Sequence, residues 1–144
     1  MQYKLGNALP DSFKFYHLGE VRAEDSEESP NAFYDDIHES TLISYRFEGD
    51  VKGLILVAIE KELDISIYSE MGNIIASRFA NSLSRLGQDV MICSPTILDS
   101  KKVSQLLKFS TDNHLKTYSH LTGGASIKIR VLTMVGESRE SLNV

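Results

Sequence analysis

Within the stretch SIYSEMGNIIASRFANSLSRL, residues 66–86, a carboxylate at Glu70 and a carboxamide at Asn73 stand three positions apart. On a helix that spacing sets the two side chains next to each other on one surface. An acid and an amide so placed can do specific work. The carboxylate takes a charge-assisted bond from a cation, while the amide oxygen accepts from a water and its NH₂ donates to an anionic group. The neighbouring positions leave room for this. Ser66, Ser77, Asn81 and Ser84 fall on the same stripe, Glu70 is its only charge, and Lys is absent from it. A merely solvated face usually carries Lys and Glu in complementary i, i+4 pairs, but the bare ExxN spacing is a weak pattern. By themselves these residues leave two readings, an ordinary wet face and a surface with a use.

Other routes to chemistry are missing from the sequence. There is no phosphate loop with Gly-Lys-Ser/Thr, no GxGxxG after a strand and no Gly-x-Ser-x-Gly elbow. His17, His38, His114 and His120 show no metal-ligand spacing, so no metal site of the chain's own is expected. Cys93 has no partner for a disulfide and no motif that nominates a base; in DVMICSP it reads as a small buried thiol. The glycines of LTGGAS join two strands and read as a hairpin turn.

The elements that must position the pair follow from periodicity. FKFYHL alternates as a strand; TLISYRFEG sets Ile43, Tyr45 and Phe47 against Ser44, Arg46 and Glu48, a half-buried strand. After a turn at Gly49-Asp50, the apolar run GLILVAIE predicts a central strand paired antiparallel with it. A helix over 66–86 buries Tyr68, Met71, Ile75, Phe79, Leu83 and Leu86 and stops at Gly87. DVMICSP predicts a strand closed by Pro95, DSKKVSQLLKF a second helix, and LKTYSHL with SIKIRVLTMV a C-terminal hairpin. The order predicts an α+β domain, mostly antiparallel, with a long motif-bearing helix and a second helix packed on the sheet.

At 144 residues the chain suits a single domain spanning 1–144, long enough to bury roughly 70% of its unfolded surface. Residues 20–39 hold eight acids and one base, a net −7 that leaves the remainder at +2; they predict a solvated acidic loop. The near-neutral body has no basic stripe for nucleic acid. No apolar run approaches the roughly 20 residues that cross a bilayer. The start lacks a secretory pattern, so the expected location is cytoplasmic. The tail, around 136–144, is expected to fray.

Ser66, then Glu70 four residues on, then Asn73 three further, then Pro95 after 21 intervening residues, resembles the signature of the CheC/CheX/FliY phosphatases of bacterial chemotaxis. The likeness is carried by residues 66–98. With one copy of the motif, the chain is most similar to the single-site CheX-like members. Two positions depart from the pattern: Ser77 stands where the family has a glycine, and the interval to Pro95 is one residue short. The resemblance implies a cytoplasmic phosphatase that hydrolyses the aspartyl phosphate of a CheY-like response regulator. In that reading Asn73 orients the attacking water and Glu70 docks against a partner lysine. Ser66, Ser77 and Asn81 form the partner-binding rim. It also implies no cofactor of the chain's own, magnesium in the partner's phosphorylation site, and a homodimer. The alternative it leaves is a CheC-like module that binds a regulator or flagellar partner without catalysis.

Overall fold

The computed structural model describes residues 5–15, 19–24, 41–59, 65–98, 113–120 and 128–136. After a 3-10 turn at Leu5–Ala8 come strands β1 (Ser12–Phe15), β2 (Gly19–Ala23), β3 (Thr41–Gly49) and β4 (Lys52–Ile59). Helix α1 (Ile65–Arg85) follows, then β5 (Val90–Ile92), β6 (Thr96–Leu98), β7 (Asn113–His120) and β8 (Lys128–Gly136). The strands form one sheet in the order β1-β2-β7-β8-β4-β3-β5, with β6 also on β3, and every pairing is antiparallel. The α+β class and the antiparallel sheet with a helix packed on it are therefore as expected. The second helix predicted over DSKKVSQLLKF lies outside the described residues, as do the GG turn of LTGGAS and the tail beyond Gly136. Of the acidic stretch read as a loop, Glu20 to Ala23 belong to β2, and residues 25–39 lie outside the described set.

Why GLILVAI reads as an unbroken apolar run is explained by its place. β4 lies between β3 and β8, and both of its faces are covered. Ile55, Val57 and Ile59 join Ile43, Tyr45, Phe47, Ile129 and Val131 in the larger core beneath the helix. Leu54, Leu56 and Ala58 join Leu42, Leu132 and Met134 in a smaller one on the opposite face. A strand buried on both sides loses the polar alternation of a half-wet one. The half-buried reading of β3 holds only toward its end, where Arg46 is partly exposed and Glu48 exposed. At its start, Leu42 and Ser44 are buried with the rest.

The helix is held at several places. Phe79 meets Phe47 edge to face at 5.6 Å between ring centres, while Arg78 lies 5.9 Å over the Phe13 ring of β1. Its end is a Schellman cap. Gln88 N–H donates to Leu83 O (2.9 Å) and Gly87 N–H to Ser84 O (3.0 Å), with Gly87 at φ 84°, a conformation glycine adopts without a Cβ penalty. Ser84 Oγ donates to Asp89 Oδ1 (2.8 Å), and Asp89 N–H donates to Asp50 Oδ2 (2.8 Å). The helix end is thereby joined to the β3–β4 turn. On the other flank Tyr118 donates to Pro10 O (2.6 Å) and Lys116 pairs with Asp11 (2.8 Å), holding the N-terminal segment on β7.

Candidate functional site

Helix α1 sorts its residues as their types dictate. Tyr68, Met71, Gly72, Ile75, Ala76, Phe79 and Leu83 are buried against the sheet. Ser66, Asn73, Ser77 and Asn81 are exposed, and Glu70 is partly so. All five residues singled out from the sequence thus share the outward side of one helix. Ser84, also on that stripe, is committed to Asp89 and serves the helix end instead. Leu86, expected in the apolar face, lies just past the helix and is exposed.

Asn73 is not a loose surface amide. The Tyr45 hydroxyl rises from β3 and donates to Asn73 Oδ1 at 3.1 Å. The contact needs an unusually close approach of helix to strand, and Gly72 supplies it. A Cβ at that position would run into the Tyr45 hydroxyl, with ring atoms Cε1 and Cζ at 2.9 and 3.0 Å. Glycine inside a helix costs roughly 0.5–1 kcal/mol against alanine. Here the missing side chain is what lets the tyrosine hydroxyl reach the Asn73 amide from beneath the helix.

Next to Tyr45 in the sheet runs the edge made by β5 and β6. β5 pairs Ile92 with Phe47 and β6 pairs Thr96 with Ser44, so the edge strand carries one more residue between these points than β3 does. Cys93, Ser94 and Pro95 form that bulge, opposite Tyr45 and Arg46. It is held by Cys93 N–H donating to Arg46 O (2.8 Å) and Ser44 Oγ donating to Thr96 O (3.2 Å). The expected strand closed by Pro95 is really a strand that resumes beyond it. Cys93, expected buried, is half-buried in the bulge. The fold therefore sets Asn73, Tyr45 and the Pro95 segment on neighbouring elements, although 21 residues separate Asn73 from Pro95 in the chain.

Burial raises the Tyr45 phenol to about 12, and desolvation, followed by the nearby Asp11 charge, raises that of Tyr118 further, against a smaller opposing effect of Arg78. Tyr45 is thus a protonated donor throughout the working pH range. The sign of the linkage is that of a group whose folded pKa exceeds its unfolded value. Both phenols ionise first in the unfolded chain, so their stabilisation is complete below about pH 10 and is lost as the pH rises toward 12 and beyond. The urea midpoint is expected to fall steadily from pH 10 to 12, and less steeply in Tyr45→Phe. A midpoint that stays level across that window would contradict the burial of both rings.

Reading the sequence missed Tyr45 and Gly72 as parts of this site. Alternation assigned Tyr45 to the core face, which is correct for its ring and silent about its hydroxyl. A glycine inside a helical pattern and immediately before the candidate amide was the available signal.

Among the described residues no group of three or more His, Cys, Asp or Glu side chains gathers to hold a metal ion. No described helix is long and apolar enough to cross a membrane. No family model matches the chain, and no curated protein does. Among solved structures it is similar to a chain in the crystal structure of the CheX–CheY–BeF3–Mg2+ complex from Borrelia burgdorferi. The identity is 18%, the match covers 69% of this chain and 77% of that one, and the TM-score is 0.47.

Proposed function

We propose that this chain is a phosphatase of the CheX kind, accelerating hydrolysis of the aspartyl phosphate on a CheY-like response regulator. The observation that carries the reading is the outward Glu70–Asn73 pair on a Lys-free stripe, with the Asn73 amide anchored from beneath by Tyr45. An aspartyl phosphate is already an activated acyl phosphate, so the helper needs no nucleophile. It has to hold a water in line with phosphorus and stabilise the charge that develops, and phosphoryl transfer depends largely on such positioning. Asn73 offers both halves of an amide for this: oxygen for the water and NH₂ toward the phosphoryl oxygens. The magnesium of the reaction belongs to the regulator's site. Glu70 docks against a partner lysine, and Ser66, Ser77 and Asn81 let the surfaces meet, a role in which a stripe lysine would repel. The working unit in this reading is a single cytoplasmic domain that pairs with a second copy through the sheet.

The test is the decay of phosphorylated CheY-like regulators, charged with a small phosphodonor, with and without this protein. Acceleration that requires magnesium supports the phosphatase; absence of acceleration with every regulator removes it. For Glu70→Ala the expected loss is in regulator affinity, with part of the rate recovered at high substrate. A lower maximal rate at unchanged affinity would take the docking role from Glu70. One observation favours the second reading, a binding module without catalysis. Ser77 is exposed on the stripe where the family pattern has a glycine, and its larger side chain would narrow how closely a partner backbone approaches. In that case regulator binding persists while the decay rate does not change.

A further inference from the structure

We propose that Tyr45 is a positioning residue for Asn73: through the gap left by Gly72 it engages the amide oxygen and turns the NH₂ outward. This deepens the phosphatase reading and rests on it for the reaction. The geometry has two independent parts, the 3.1 Å bond from Tyr45 to Asn73 Oδ1 and the clearance at Gly72 without which the ring could not stand there. An unanchored asparagine swings about its last torsion between two roughly equivalent orientations that exchange oxygen and nitrogen. A partner would then meet the wrong half of the amide much of the time. With Oδ1 engaged by a protonated phenol, its second lone pair stays available to a water, and the NH₂ is turned away from the Tyr45 hydroxyl on an exposed residue. The donor stands on a sheet strand buried in the core, so its position is set by packing and not by the helix surface it serves.

The experiment uses the whole chain. In a proton–nitrogen correlation spectrum, the Asn73 side-chain NH₂ pair is expected to move in Tyr45→Phe while the backbone pattern is retained. In regulator-decay kinetics the same variant is expected to lose roughly 5- to 10-fold in kcat, the worth of one ordinary hydrogen bond, with KM unchanged. In an Asn73→Ala background Tyr45→Phe should cost nothing further, because the two residues then act as one unit. Gly72→Ala, which displaces the hydroxyl from the helix side, should reproduce the kcat loss; it serves as the reporter if Tyr45→Phe does not fold. An NH₂ pair that does not move, or a rate loss of equal size with and without Asn73, overturns the proposal. If the wild type accelerates no regulator, the phosphatase reading is what fails. The NH₂ pair then decides by itself whether Tyr45 orients the amide.

Discussion

Asn73→Ala is expected to lower the phosphatase rate by a factor of about 10²–10⁴, the range for a positioned group that handles a proton or a water. Regulator affinity should change little, because docking is assigned to Glu70. The size follows from what the amide does: removing it takes away both the acceptor that holds the water and the donor facing the phosphoryl oxygens. The fold should be kept at a cost of about 1–3 kcal/mol, since Asn73 is exposed but the buried Tyr45 hydroxyl loses its acceptor. Asn73→Asp is the informative companion. It keeps an acceptor for Tyr45 but replaces the NH₂ by a negative oxygen facing a negative phosphoryl group, so it should be as inactive as alanine while as stable as the wild type. Hydrolysis within a few-fold of wild type in either variant would take Asn73 out of the mechanism.

The second large effect is on stability. Phe79→Ala should cost about 3–5 kcal/mol, the usual range for deleting a buried aromatic side chain. Phe79 is fully buried, and its ring is the helix's edge-to-face contact with Phe47 of β3. Against a total of about 5–15 kcal/mol for a natural domain this is a substantial share. In urea the midpoint should fall with the slope unchanged, because the surface exposed on unfolding stays nearly the same. A loss below about 1 kcal/mol would mean that the helix does not dock on the sheet through this residue.

The two variants probe parts of the molecule that were unequally legible in the sequence. The helix was readable to within a residue, because its apolar period and Gly87 are local signals. The antiparallel β3–β4 and β7–β8 pairings were readable for the same reason. So was the outward set of Ser66, Glu70, Asn73, Ser77 and Asn81, since helical spacing alone decides which residues share a face. The continuation of the edge strand past Pro95 was not. Proline ends a central strand, but on an edge its missing N–H can be left on the unpaired side or absorbed in a bulge, and only the sheet order tells which. Nor was the Tyr45–Asn73 bond readable. It depends on how the helix is rotated and how closely it sits above β3, quantities set by packing across 28 residues of chain. Of β1 and β2 only the first was read as a strand, from FKFYHL; Glu20 to Ala23 of β2 were read into the acidic loop, because their charges hide the one buried residue, Val21.

The irregular edge has a consequence for how this chain behaves at high concentration. Met91 and Ile97, 75% and 64% exposed, stand on either side of the bulge, and a straight strand with such side chains would be an adhesive template for another chain. The extra residue breaks the ladder between them, and Pro95 has no N–H to offer an incoming strand. An added strand could match the edge before the break or after it, but not across both. Deleting Ser94 would let the two short strands merge with their pairings to β3 unchanged, at a cost paid in solubility. The bulge therefore works against fibre-like stacking, in a molecule whose opposite sheet edge, β1, spans four residues among those described.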